Sequence, residues 1–181
     1  MKNIFYFLLS AFLIFFMTSC GGIKPSGTKS ASSLYETFYV GEAGIQYFIK
    51  PLRFESATKS SVETDFTFRV KKEIQPRDSV IVNFSLFSSK VIKEIDSLVI
   101  QSNGKRCVLP YKEYIYTEKE GNLFVSRFST KGKLSSLETV FQDANWEILL
   151  YSSETKKEKF NISNKTEKKI MKINSNLFSV L

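Results

Sequence analysis

The sequence LVIQSNGKRCVL, residues 98–109, contains two apolar runs joined by an Asn-Gly pair at positions 103–104. Asn-Gly tolerates the positive φ angles that a type I′ turn requires, so this stretch predicts a β-hairpin with a two-residue loop. Such a loop places Ile100 opposite Cys107. We therefore expect Cys107 to be a buried, unreactive thiol on an apolar sheet face.

Alternation of apolar and polar residues predicts further strands on both sides of this hairpin. In residues 65–70 the side chains of Phe66, Phe68 and Val70 fall on one face, and residues 80–86 repeat the pattern. Between them Gln75-Pro76-Arg77-Asp78 predicts a turn. The other predicted strands cover residues 44–50, 146–151 and 156–162.

A second hairpin is predicted at Lys119-Glu120-Gly121, because a three-residue loop that ends in Gly suits a type I turn with a bulge. This register places Tyr116 opposite Phe124 and Tyr114 opposite Ser126. Two interpretations fit the nearby tyrosines. They form an aromatic platform for a sugar or peptide, or they are cross-strand pairs that stabilise the sheet, which is the interpretation we favour. The tyrosines concerned are Tyr111, Tyr114 and Tyr116.

Two helices complete the predicted elements. Ser135 and Glu138 have the spacing of a capping box, which predicts a helix over residues 135–144. Asn164 and Glu167 predict the cap of a final helix, whose apolar stripe consists of Ile170, Ile173, Leu177 and Leu181. About eight short strands with Gly and Asn turns favour an all-β fold: an immunoglobulin-like antiparallel β-sandwich with one short crossover helix. The alternative is a small lipocalin-like β-barrel.

The first twenty residues have the layout of an export signal. Lys2 is followed by an apolar run over Ile4–Met17, and small residues precede Cys20. The run is shorter than the roughly 20 residues that span a bilayer. This order resembles the signal peptide and lipobox of bacterial lipoproteins. The resemblance implies cleavage before Cys20, which then carries lipid on its thiol and on its new amino terminus.

The resemblance divides the chain into a signal peptide (1–19), a lipidated cysteine with a flexible tether (20–33) and a single domain (34–181). The tether is rich in Gly, Ser, Thr and Lys, and such a segment buries too little to become ordered. Its thirteen residues after Cys20 reach on the order of 20 Å. In the lipoproteins that this segment resembles, an Asp after the cysteine retains the protein in the inner membrane, and acidic residues near the cysteine direct it to the cell surface. Here Gly21 follows the cysteine and the segment lacks acidic residues, so the resemblance implies an outer-membrane location facing the periplasm.

The composition excludes several kinds of chemistry. The chain contains no histidine, which removes the usual catalytic base and the usual imidazole metal ligand. A glycine-rich phosphate loop and a Gly-x-Ser-x-Gly motif are also missing from the sequence. We therefore expect no cofactor, no metal and no enzymatic activity. Cys107 is the second of two cysteines, so a disulfide within the domain is not expected once Cys20 carries lipid.

The formal charge of +8 is concentrated near the C-terminus. Residues 31–150 contain 16 Lys and Arg against 15 Asp and Glu, whereas residues 151–181 contain seven Lys against three Glu. One interpretation is a solvated face that protects a sheet edge, which we favour. The other is a basic patch that attracts anionic lipid or an acidic partner. Nucleic acid is not expected as a partner of an exported chain. The lysines are Lys156, Lys157, Lys159, Lys165, Lys168, Lys169 and Lys172.

Two short motifs, Asp78-Ser79-Val80 and Asp96-Ser97-Leu98, resemble the acceptor for O-linked glycans on exported bacterial proteins. The resemblance makes Ser79 and Ser97 candidate acceptors. The alternative interpretation is turn chemistry, because Asp-Ser is common just before a strand.

The function predicted from these features is a membrane-tethered, non-catalytic binding or assembly module of the bacterial cell envelope. Its expected partner is another envelope protein or a glycan. One alternative is a β-barrel carrier of a small apolar ligand, which an enclosed apolar cavity would favour. The other is a histidine-free glycan hydrolase, which requires two carboxylates about 5–10 Å apart in a cleft. A solid core with an exposed patch favours the binding module.

Overall fold

The computed structural model describes residues 33–70, 79–110, 113–153, 157–179 and 181. Over these residues the chain is mostly antiparallel β-structure with two helices. The strands are β1 (Tyr35–Tyr39), β2 (Ile45–Ser56), β3 (Ser61–Val70), β4 (Val80–Ser88), β5 (Ser97–Ser102), β6 (Lys105–Leu109), β7 (Glu113–Glu120), β8 (Leu123–Gly132), β9 (Glu147–Tyr151) and β10 (Glu158–Ile162). The helices are α1 (Leu134–Phe141) and α2 (Asn164–Ile173), and a π-helical turn over Asn174–Phe178 follows α2.

The ten described strands belong to one sheet in the order β6-β5-β9-β10-β2-β3-β4-β8-β7, with β1 beside β2. The sheet curls into a half-barrel. Every pairing between neighbouring strands is antiparallel. The predicted all-β architecture is therefore confirmed at the level of an antiparallel sheet, while neither the sandwich nor the barrel is confirmed.

Strand β2 has neighbours on both sides and bends in its middle. Its first half pairs with β1, and its last three residues pair with β10 on the same side. Against β3 the register shifts between Ile49 and Leu52, so Lys50 and Pro51 form a bulge. Proline lacks a backbone N–H, and a bulge is one of the few places in a sheet that tolerate it. The bend lets one strand serve two partners on one edge.

Aromatic side chains fill the interior of the curl. Trp146, just before β9, is fully buried, and its ring centroid lies 4.5 Å from Phe141, 6.2 Å from Phe66 and 6.3 Å from Phe54. The indole Nε1 donates to the backbone oxygens of Val140 at 3.1 Å and Asp143 at 2.8 Å. The large buried aromatic residue therefore also satisfies its polar atom.

The curl brings β6 back against the end of β8. A Cβ added at Gly132 would lie 2.5 Å from Leu109 Cδ2 and 3.8 Å from Cys107 Sγ. Both side chains are buried, so there is no room for a methyl group at this position. Gly132 thus permits the closest approach of the two strands.

The first predicted hairpin is confirmed. Ile100 pairs with Cys107 and Leu98 with Leu109. The φ angles of Asn103 and Gly104 are +47° and +80°, as a type I′ turn requires.

The register of the second hairpin was wrongly predicted. Glu120 pairs with Leu123, so the loop has two residues and begins at Gly121, whose φ is +59°. A glycine with positive φ in the first loop position is typical of a type II′ turn, which matches the twist of the flanking strands. The extra residue lies inside β7 instead, where the register shifts between Tyr114 and Tyr116.

Both helices exist, but both predicted caps were wrong. Helix α1 begins at Leu134, and its N-cap Lys133 makes no side-chain capping bond, because burial of Leu134 and Leu137 fixes the start. In α2 the N-cap is Ser163, whose hydroxyl accepts from the Thr166 backbone N–H. The apolar stripe predicted for the final helix is confirmed in its buried members, Ile170, Ile173 and Leu177.

Candidate functional site

Several predicted site residues lie outside the described residues: the signal peptide 1–19, Cys20, most of the tether, the turn at 75–78, Tyr111 and Lys156. The lipid anchor therefore stays a prediction. Among the residues that the structure describes, no helix is long and apolar enough to cross a membrane.

The two candidate glycan acceptors differ in their surroundings. Ser79 is exposed and lies directly before β4. Ser97 is half-buried as the first residue of β5, where it pairs with Tyr151. Both serines lie at the start of a strand. This position is expected for a glycan acceptor and for turn chemistry alike, so glycosylation stays a prediction.

The basic C-terminal segment is divided between two surfaces. On the sheet, Lys159 forms an ion pair with Glu147, and Gln101 Nε2 donates to the same carboxylate at 3.0 Å. The hydrogen bond from Lys159, then that from Gln101, lowers the pKa of Glu147. The charge of nearby Lys157 lowers it further. Lys157 and Lys159 therefore surround a carboxylate that offsets part of their charge.

The second surface lies on α2, and we call its exposed lysines Lys165, Lys168 and Lys172 the basic face. The apolar stripe faces the core, which leaves these three side chains in solvent, while Lys169 is half-buried. Met171 lies among them and is 58% exposed. Among the ion pairs of the described residues, none involves a lysine of α2. The helix contains four lysines and one glutamate, so its charge is +3.

An exposed apolar cluster lies at the end of the β1–β2 hairpin. We call it the apolar tip, and it consists of Phe38, Tyr39, Val40 and Ile45. Tyr39 is 81% exposed and the other three are exposed by 36% to 44%. Tyr39 pairs with Ile45 across the hairpin, so these two side chains share one face.

The turn of this hairpin holds the tip in a defined shape. It is a short 3-10 turn over Gly41–Ala43, and Gly41 and Gly44 have φ angles of +60° and +89°. Val40 N donates to Gly44 O at 2.9 Å, which closes the base of the turn. Sequence reasoning missed this cluster. Its available signal was an apolar Phe-Tyr-Val run directly before two glycines three residues apart.

The structure does not bring Tyr114 and Tyr116 together as a platform. Tyr114 pairs with Phe128 and Tyr116 with Arg127, and these adjacent β8 residues point to opposite faces of the sheet. Tyr114 packs edge-on against Phe128 at 5.7 Å, and its hydroxyl donates to Thr117 Oγ1 at 3.0 Å. This arrangement agrees with the interpretation of the tyrosines as cross-strand pairs.

A buried carboxylate on the sheet is held by neighbouring side chains. Asp65 is 2% exposed, and its two oxygens accept from Arg127 at 2.7 Å and Asn83 at 2.8 Å. Arg127 also donates to Ser85 Oγ at 2.8 Å. Such a fully paired network stabilises the sheet. In the described part of the chain, no group of three His, Cys, Asp or Glu residues is arranged to hold a metal ion.

Cys107 is buried, as predicted. Its side chain faces the core at 1% exposure, and burial raises the pKa of its thiol to about 11. The thiol is therefore protonated at neutral pH, and its low reactivity stays a prediction.

Comparisons with protein-family models, with curated proteins and with solved structures found no match to this chain.

Proposed function

We propose that this chain is a membrane-tethered, non-catalytic binding or assembly module of the bacterial cell envelope, and that it contacts its partner through the apolar tip. The observation that carries the proposal is the exposure of Phe38, Tyr39, Val40 and Ile45 at the end of one hairpin. An apolar patch of this kind costs solubility, so it is typical of an interaction site. Aromatic residues also contribute strongly to binding interfaces.

The packing of the interior favours this function over that of a carrier. The curl is occupied by buried aromatic residues, among them Phe54, Phe66, Phe141 and Trp146. A carrier places its ligand in that region. The fully paired Asp65 likewise gives no support to a hydrolase, because its two oxygens already accept charged and amide donors.

The composition of the apolar tip favours a protein partner over a glycan. Ile45 lies opposite Tyr39 across the hairpin, and Val40 adds a second exposed branched aliphatic group two residues after Phe38. Aliphatic side chains suit an apolar groove on a protein, whereas a sugar also requires polar groups for its hydroxyls. We therefore favour another envelope protein as the partner.

We also propose that the fold is an incompletely closed barrel. A single sheet whose strand β6 returns to β8 favours an incompletely closed barrel over an immunoglobulin-like sandwich. In such a barrel the apolar faces of both helices pack into the same core as the inner face of the sheet, and the apolar tip lies outside that core.

Site-specific photo-crosslinking in cells tests the binding surface. A photoreactive residue at Tyr39 should give one discrete crosslinked product, because this side chain is the most exposed of the tip. The matched control is Val108, which is 52% exposed on β6. Mass spectrometry identifies the captured protein, and Ile45→Ser should abolish the product at Tyr39, because Ile45 lies on the same face of the hairpin. Equal products at both positions, or none at Tyr39, would contradict the proposal.

The tether is tested separately with Cys20→Ala. The variant should appear in the soluble envelope fraction, because it lacks the thiol that receives lipid. Membrane retention equal to that of the parent would refute lipid anchoring while leaving the crosslinking result valid.

A further inference from the structure

The basic face lies next to the point where the tether enters the domain. The first described residues are Ser33 and Leu34, and Leu34 O accepts from Lys50 N at 2.9 Å. The Tyr35 hydroxyl donates to the backbone oxygen of Asn176 at 3.3 Å. Asn176 belongs to the π-helical turn that continues α2. The tether therefore joins the domain against the C-terminal end of the helix that carries the basic face.

These positions place the basic face within reach of the membrane. At 1.5 Å per residue, Lys172 lies roughly 6 Å and Lys165 roughly 16 Å along the helix from Asn176. The predicted tether spans on the order of 20 Å. A domain held at that distance meets the bilayer at a high effective concentration, so weak surface attraction is sufficient for docking.

We propose that the basic face docks the domain onto a bilayer surface that contains anionic phospholipid. This inference rests on the tethering in the proposed function. Lys165, Lys168 and Lys172 follow the i, i+3, i+7 spacing that aligns side chains along one side of a helix. Lysines near an anionic leaflet are attracted to its phosphate groups. Met171 adds an exposed apolar side chain, as in helices that lie in the plane of a membrane interface.

The charge arrangement distinguishes this face from the lysines on the sheet. Lys159 forms an ion pair with Glu147, so much of its charge is offset by a carboxylate of the same domain. In the described part of the chain, the three lysines of the basic face have no carboxylate at ion-pair distance. Their charge is available to an external anion.

The apolar tip and the basic face consist of different residues at different places in the domain. Strand β1 begins beside Asn176 and ends at the tip, and its four residue steps from Tyr35 to Tyr39 cover about 13 Å. The tip therefore lies at the other end of β1 from the tether. Docking on the basic face therefore does not use the residues of the apolar tip.

Lysine acylation on vesicles tests the docking. The full mature chain, purified from the membrane fraction in detergent, is reconstituted with phosphatidylcholine vesicles and with vesicles that also contain phosphatidylglycerol. A water-soluble amine-acylating reagent labels exposed lysines, and mass spectrometry quantifies each site. Lys165, Lys168 and Lys172 should be labelled about tenfold less on the anionic vesicles than on the neutral ones. Lys119 and Lys131, exposed on β7 and β8, are the internal controls and should not change.

Salt and matched variants sharpen the result. In 1 M salt the screening length falls to about 3 Å, so the protection should disappear. Lys168→Gln/Lys172→Gln should remove the protection of Lys165, whereas Lys119→Gln/Lys131→Gln should retain it. Exposed substitutions of this kind rarely affect folding.

Recovery of the chain on neutral vesicles reports the tether, and protection on anionic vesicles reports the docking. Recovery on both with equal labelling overturns the docking alone. If the chain is recovered on anionic vesicles but not on neutral ones, and its lysines are protected there, the docking is supported and the tether is overturned. Recovery on neither overturns both.

Discussion

The two end strands of the sheet, β6 and β7, have opposite environments. Each pairs with one neighbour along the sheet, β6 with β5 and β7 with β8. In β6 the side chains of Cys107 and Leu109 are buried, whereas none of the eight described residues of β7 is buried. Tyr114, Ile115 and Tyr116 of β7 are 37% to 47% exposed.

The difference shows where the curl closes. Strand β6 meets β8 at Gly132 and is also packed against α1, so its inner face is covered. Strand β7 lies one strand beyond this contact, pairs with β8, and has no buried residue among those that the structure describes. An open edge invites pairing with another chain, and β7 counters this with a bulge and with charged residues. These are Glu113, Glu118, Lys119 and Glu120.

Among the substitutions that only shorten or extend an apolar side chain, the largest effect is expected from Leu109→Ala in the covered strand. The change removes a fully buried side chain at the closure with β8, so the free energy of unfolding should fall by about 3 kcal/mol. Val108→Ala is the matched control in the same strand. Because Val108 is 52% exposed, its loss should change stability by less than about 0.5 kcal/mol. Urea denaturation measures both, and equal effects would refute the closure.

A smaller effect is expected from Gly132→Ala on the other side of the same contact. The added methyl group overlaps Leu109, and such overpacking should cost about 2 kcal/mol. In the double variant Leu109→Ala/Gly132→Ala the overlapping side chain is shortened, so the combined loss should be clearly smaller than the sum. Strict additivity in denaturation experiments would show that the two positions are not in contact.

The smallest effect is expected from Ile115→Lys in the open strand. Ile115 is 47% exposed at the bulge, so the free energy of unfolding should change by no more than about 0.5 kcal/mol. The same measurement applied to Leu109→Lys should show severe destabilisation. A loss at Ile115 comparable to that at Leu109 would mean that β7 is covered after all.

Short sequence motifs correctly predicted those structural features that depend on only a few adjacent residues. The hairpin at 98–109 was predicted in its register because Asn103-Gly104 determines the loop by itself. The prediction of the second hairpin failed because a glycine suits either the last position of a three-residue loop or the first position of a type II′ loop, and Gly121 takes the first position of a two-residue loop. The bulge at Ile115 then shifts the register again. The cap of α1 failed because burial of Leu134 determines where that helix begins.

The two candidate surfaces depend on contacts between residues that are distant in the sequence. For this reason the sequence predicted neither the exposure of the apolar tip nor the separation of the lysines. Phe38 and Tyr39 have the composition of a core strand, and their exposure follows from the hairpin extending past the packed interior. The lysines after position 156 lie close together in the sequence. The fold separates them, because Glu147 lies beside Lys159 while α2 turns its lysines away from the sheet.

Strand β10 has a consequence for how the chain acquires its fold. Along the described sheet it is the link between β9 and β2, and it pairs Ile162 with Phe54. Contacts between residues so far apart in the sequence form slowly, because the chain loses conformational entropy in closing the long loop before the contact adds any stability. At a synthesis rate of 5–20 residues per second, β2 waits roughly 5–20 s for this neighbour. During that interval the incomplete sheet leaves apolar surface exposed, which makes the chain a substrate for chaperones.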